Sequence, residues 1–170
     1  LKNIKALIKL ILISIPVACF VYKVCDISSL GSYFGYHLSL GKFSFFFTFM
    51  CMLLLINATN YMDGLDGLLS LLAILSFLFI LILIPKEEWN SLFPIIYFLT
   101  VFLFFNFGIL PKQFLGDSGS LCIGFILSSF SIYFTQELEL IHPAIIIWCL
   151  SFYVYEFLTI NIIRFKNKQN

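Results

Sequence analysis

Long apolar runs broken by short polar turns limit this chain's folding more than any other feature. A helix needs roughly 20 residues to cross an apolar layer of about 30 Å. Six segments reach or approach that length: residues 4–22, 43–62, 68–84, 92–110, 120–135 and 143–163. The runs lack the strict alternation of barrel strands and exceed their length. The chain is 61% hydrophobic and only 11% charged, against about 25% charged in a soluble domain. The expectation is an all-α, polytopic transmembrane helix bundle of about six spanning helices, forming one membrane domain over residues 1–170. The net charge of +1 says nothing about nucleic acid, no basic block appears, and no nucleic-acid partner is expected. Five scattered cysteines form no C-x-x-C pair and read as small apolar side chains.

Six spans put both chain ends on one side. Lys2, Lys5, Lys9, Lys112, Arg164, Lys166 and Lys168 fall on that side, against Lys23, Lys42 and Lys86 on the other. Cytoplasmic loops carry the excess of Lys and Arg, so the termini are expected in the cytoplasm. Residues 23–42, with three glycines and His37, read as an irregular outer loop or short hairpin. His37 and the acids Glu87, Glu88, Glu137 and Glu139 read as solvated loop residues. Pro94 is expected in the first turn of the fourth helix, and Pro143 at the start of the sixth.

Two polar stretches interrupt this pattern. NATNYMDGLDGL, residues 57–68, carries Asn57 and Asn60 three apart, then Asp63 and Asp66 three apart. FNFGILPKQFLGDSGS, residues 105–120, carries Asn106, Lys112, Asp117, Ser118 and Ser120. An aspartate at mid-bilayer costs about 2.5–3.5 kcal/mol on insertion scales. Such residues between membrane-length segments therefore suggest chemistry at a helix end. Span parity puts both stretches on the cytoplasmic face. Their chemistry suits a magnesium ion and a phosphate: Mg²⁺ takes one or two carboxylates and completes its shell with water and phosphate oxygens. Glycines beside the acids allow close backbone approach, and the helix opened by GDSGS favours an anion at its N-terminus. Asp117 has a second reading as a helix cap. Glu156, within the sixth span, is open between structural pairing, protonation and catalysis.

These motifs resemble those of the polyprenyl-phosphate N-acetylhexosamine-1-phosphate transferases. NATNYMDGLDGL is similar to that family's N-x-x-N-x-x-D-G-x-D-G-L, and FLGDSGS to its F-[ML]-G-D-x-G-S. YVYEFLTINIIR resembles a P-x-x-[DE] helix ending in arginine, with Tyr153 where proline is usual and Glu156 where many members have Asp. The resemblance implies a lipid phosphate oxygen attacking the β-phosphate of a UDP-N-acetylhexosamine, with release of UMP and Mg²⁺ as cofactor. It implies Asp117, Asp63 and Asp66 as catalytic residues, with Asp117 the metal ligand. Asn60 lines the nucleotide pocket with the aspartates, Asn57 supports them, and Asn106 and Lys112 are further substrate contacts. Partners are the UDP-sugar, leaning to UDP-GlcNAc, polyprenyl (undecaprenyl) phosphate and membrane lipid; a homodimer or a complementary chain stays open. The setting is the bacterial inner membrane, in cell-wall or surface-polysaccharide synthesis.

The family's DDxxD and PDxxHxHH segments would precede Leu1 and follow Arg164, so a central fragment, inactive by itself, is also expected. A transporter or ion pathway is the competing class, since such proteins place polar residues near the midplane. Cysteines introduced at positions 63, 66 and 117 decide between them. The transferase reading expects labelling by an impermeant thiol reagent from the cytoplasmic side, and labelling from outside alone defeats it.

Overall fold

The computed structural model describes residues 6–64 and 67–168. Six helices carry the chain: α1 (Ala6–Lys23), α2 (Ser44–Met62), α3 (Leu68–Leu83), α4 (Trp89–Asn106), α5 (Gly116–Ile132) and α6 (Pro143–Lys168). All six expected helices are present. Among the described residues, four helical segments are long and apolar enough to cross a membrane: Gly41–Met62, Lys86–Asn106, Gly116–Glu137 and Pro143–Asn167. The helix Leu68–Leu83 is a shorter apolar one.

Several boundaries differ from expectation. The fourth helix starts earlier and stops at Asn106 rather than 110, because Gly108 has φ +76° and breaks the helical path. Pro94 consequently lies in the second turn, not the first. The fifth starts at Gly116, so the whole GDSGS run sits inside its opening turns.

Helix α2 is the centre of the bundle and packs against α1, α5 and α6. Its closest partner is α5. A Cβ added at Gly124 would lie 2.2 Å from Thr59 Oγ1 and 2.8 Å from Ile56 Cα, so the backbones meet where only glycine fits. Small residues of this kind let membrane helices approach closely. Thr59 Oγ1 also donates to the Ser120 carbonyl at 3.2 Å, tying the last turns of α2 to the first turns of α5. Helix α1 lies over this pair, with Val17 and Val21 buried against Met52, Leu53, Ile56 and Ile132. Phe20 and Phe125 add an edge-to-face contact at 5.9 Å. A larger core joins α3, α4 and α6, with Phe77, Leu92, Leu99 and Tyr153 fully enclosed. The Tyr153 hydroxyl meets Ser76 Oγ at 3.1 Å, which satisfies a polar group buried between α6 and α3. Outward-facing Ile82, Tyr97, Ile147 and Trp148 are largely exposed, as lipid-facing surfaces are.

Residues 23–42 contain a short antiparallel hairpin, β1 (Ser29–Tyr33) and β2 (Tyr36–Ser39), with Ser32 opposite His37 and Tyr33 opposite Tyr36. Phe34 and Gly35 both have positive φ, 51° and 85°, which is the two-residue turn that matches strand twist. Gln136 ties the hairpin to the far end of α5. Its Oε1 accepts the backbone N–H of Ser28 at 3.1 Å and of Ser29 at 3.2 Å, and its Nε2 donates to the Ser29 carbonyl at 2.9 Å. Gln136 lies in a widened π-helical turn, Tyr133–Glu137, that continues α5. The five cysteines are free.

Gly124→Ala is expected to destabilise the bundle by about 1–3 kcal/mol through overpacking. Adding Thr59→Ala should restore only part of this, because Ile56 Cα stays in the way. Unfolding titrations in detergent measure both.

Candidate active site

Chain topology brings the start of α1, the end of α2, the start of α3, the end of α4 and the start of α5 to one end of the bundle. The side chains there show it directly. Asn60, near the end of α2, donates Nδ2 to Asp117 Oδ1 at 3.2 Å and to Ser120 Oγ at 2.8 Å. Both partners belong to the first turns of α5. The Lys9 ammonium, from the first turns of α1, forms an ion pair with Asp117 Oδ2. Asp117 lies inside the first turn and does not cap α5; its carboxylate faces the neighbouring helices instead. Its side chain is 56% exposed, so the carboxylate remains open to solvent and solutes.

Asp63 follows the last residue of α2 and is half-buried. Burial pushes its carboxyl above the usual carboxylate range; the Gly116 backbone N–H, donating to it, pulls the other way, and the charge of Asp117 adds to the rise. The acidic turns after α2 and α4 are thus close enough to share a hydrogen bond and a mutual repulsion. Asp66 lies outside the described residues.

The turn after α2 is braced from α4. Asn106, almost fully buried, accepts the Gly67 N–H on Oδ1 and donates Nδ2 to the Gln113 carbonyl at 3.0 Å. Gly67 has φ +74°, and a Cβ there would lie 2.3 Å from Phe107 Cε1. Both the left-handed backbone and the packed ring require glycine. Asn106 therefore ties Gly67, at the start of α3, to the α4–α5 connection, with both ends of its amide on backbone. Asn57 donates to the Leu53 carbonyl within its own helix at 2.7 Å. Lys112 lies over the Phe114 ring at 5.2 Å. Arg164, near the end of α6, stacks over Tyr61 at 4.9 Å and brings that helix to the same end. Glu156 is half-buried on α6 and makes no ion pair among the described residues.

Sequence reasoning singled out Asn60, Asp63 and Asp117, and the structure places them together. It missed Lys9 as a member of the group. A lysine in an otherwise apolar helix was the available signal, because such a charge needs a partner.

The donor set is compatible with a divalent cation. Among the described residues no three His, Cys, Asp or Glu side chains are grouped to hold a metal by themselves. Mg²⁺ does not need three, since one or two carboxylates with water and substrate phosphate suffice. Asp117 already attracts a cation in Lys9, and the Asp63–Asp117 repulsion is the kind that a dication relieves.

An apolar helix bundle with acids and amides gathered at one end defines a membrane protein with a polar site at a helix-end surface. The chain belongs to the family described as Glycosyl transferase family 4, whose profile matches residues 1–135 of the 170. It is thereby a membrane transferase of the polyprenyl-phosphate sugar-1-phosphate class. The match takes in both polar motifs and leaves α6 outside it. No curated protein and no solved structure matches the chain.

The raised Asp63 carboxyl has a consequence for stability. A carboxyl that ionises less readily when folded favours the folded state in its protonated form, so stability falls as pH rises above the ordinary carboxylate value. Asp63→Asn is expected to raise the unfolding temperature at pH 7 without divalent ions, and to give no gain once the pH is below that value. Thermal unfolding in detergent across pH measures it.

Proposed function

We propose that the chain transfers an N-acetylhexosamine 1-phosphate, GlcNAc-1-phosphate being the sugar we favour, from its UDP derivative to polyprenyl phosphate. UMP leaves, and the reaction faces the cytoplasm of a bacterial inner membrane. The observation that carries this reading is the meeting of Asn60, Asp63 and Asp117 from two separate motifs at one end of a membrane bundle. Transfer at a β-phosphorus is mostly positioning and charge neutralisation, and the residues divide along those lines. Asp117 would hold Mg²⁺, and Asp63 and Asp66 would line the nucleotide and phosphate pocket. The ion would supply charge neutralisation at the bridging and developing phosphate oxygens.

Asn60, fixed by Ser120, orients the Asp117 carboxylate through its amide. Asn106 keeps Gly67, at the start of α3, in place. Asn57 supports α2 beneath Asn60, and Lys112 is a further phosphate contact. The opening turns of α5 offer an N-terminal field to an anion. A lipid acceptor explains why this site is built on apolar helices: its phosphate lies at the surface while its tail stays in the bilayer. A transporter fits less well, because the acids stand at helix ends.

The test uses membranes carrying the full gene product. UDP-GlcNAc, undecaprenyl phosphate and Mg²⁺ should yield UMP. Asp117→Asn should lower that release by roughly 100-fold or more, on the scale of losing a main electrostatic stabiliser. Unchanged UMP release in that variant would remove Asp117 from the metal site.

A further inference from the structure

We propose that Lys9 is a partner-exchanging cation: its ammonium neutralises Asp117 in the empty site and passes to a phosphate oxygen of the nucleotide sugar once Asp117 holds a divalent ion. The proposal rests on the transfer reading above and adds a residue to it.

Geometry supplies the first part. The two oxygens of Asp117 are divided between two partners, Oδ1 taking the Asn60 amide and Oδ2 the Lys9 ammonium. The amide carries no net charge and can stay when a metal arrives. The ammonium cannot, since it occupies the oxygen that a dication would take and repels it. A metal bound at Asp117 therefore displaces Lys9.

Chemistry supplies the second part. Lys9 stands among apolar residues, with Leu10, Ile11 and Leu12 following it on exposed faces of α1. An ammonium on such a helix does not remain unpaired beside a membrane. Its flexible four-carbon stem and compact charge suit it to change partners over a short range. The anionic group that arrives with the metal is the diphosphate, and lysine binds phosphate as a point charge. The exchange keeps the site balanced in both states: ammonium on carboxylate when empty, metal on carboxylate and ammonium on phosphate when loaded.

Two binding constants and one labelling experiment on the full protein in detergent test this. Mn²⁺ binding is followed by electron paramagnetic resonance, and UDP-GlcNAc binding by calorimetry at saturating Mn²⁺. Lys9→Met is expected to tighten Mn²⁺ binding without nucleotide. It should weaken UDP-GlcNAc binding roughly ten- to hundredfold, the scale of one charge-assisted hydrogen bond. Lys9→Arg should retain nucleotide binding. In the unaltered protein, acylation of Lys9 read by mass spectrometry should rise on adding Mn²⁺ and fall again on adding UDP-GlcNAc, which serves even if Lys9→Met folds poorly. Tighter Mn²⁺ with unchanged nucleotide affinity would make Lys9 a static counter-ion and overturn the proposal. Unchanged Mn²⁺ affinity, or labelling indifferent to both ligands, would overturn it too. Failure of the unaltered protein to bind Mn²⁺ and UDP-GlcNAc at all would instead sink the transfer reading on which it rests.

Discussion

Everything at the polar end depends on how closely α2 and α5 approach. Gly124 removes the one side chain that would hold the two backbones apart, and Thr59 fills the space with an oxygen that finds the Ser120 carbonyl. One turn further along each helix, the same approach brings Asn60 to Asp117 and Ser120. A wider crossing would leave the carboxylate and amide on separate surfaces. The apolar packing of the bundle and the chemistry of its end are therefore one design: contact among lipid-facing helices sets the distance between polar groups.

Charge in this protein is sparse and local. Asp63 and Asp117 stand near enough to raise the ionisation cost of Asp63, and Lys9 supplies positive charge against them. In water such an arrangement contributes little. Asp117 is largely exposed, and a bound ligand that excludes water from this end would leave the same few charges less screened. That is the setting in which a phosphate ligand and a divalent ion can be held by few side chains.

Much of the architecture was legible in the sequence. Apolar run length gave the six helices, and span parity put the two acidic turns at one end; Asn60, Asp63 and Asp117 confirm the shared address. Less legible were features decided by neighbours in space. Residues 107–110 are as apolar as the helix before them, yet the chain leaves the helix there because Gly108 turns it and Asn106 bonds sideways to Gly67. Asn106 reads in sequence as a pocket residue, and its position beneath the turn depends on a contact 39 residues away. Lys9 and its partner are 108 residues apart, so no local pattern links them. Gln136 carries no motif in the sequence, and only the widened turn that aims it at the hairpin gives it a task.

That clamp has a mechanical consequence. Helix α1 runs from Lys9 to the strand pair, and Gln136 grips the backbone just beyond its far end. A rod fastened at one tip resists rolling about its long axis and sliding along it. The chain that carries Lys9 to Asp117 is thus held at the opposite end of the bundle as well. A perturbation of the hairpin would reach the anionic pole only by way of α1, past Pro16 midway along that helix, where the missing N–H lets it bend.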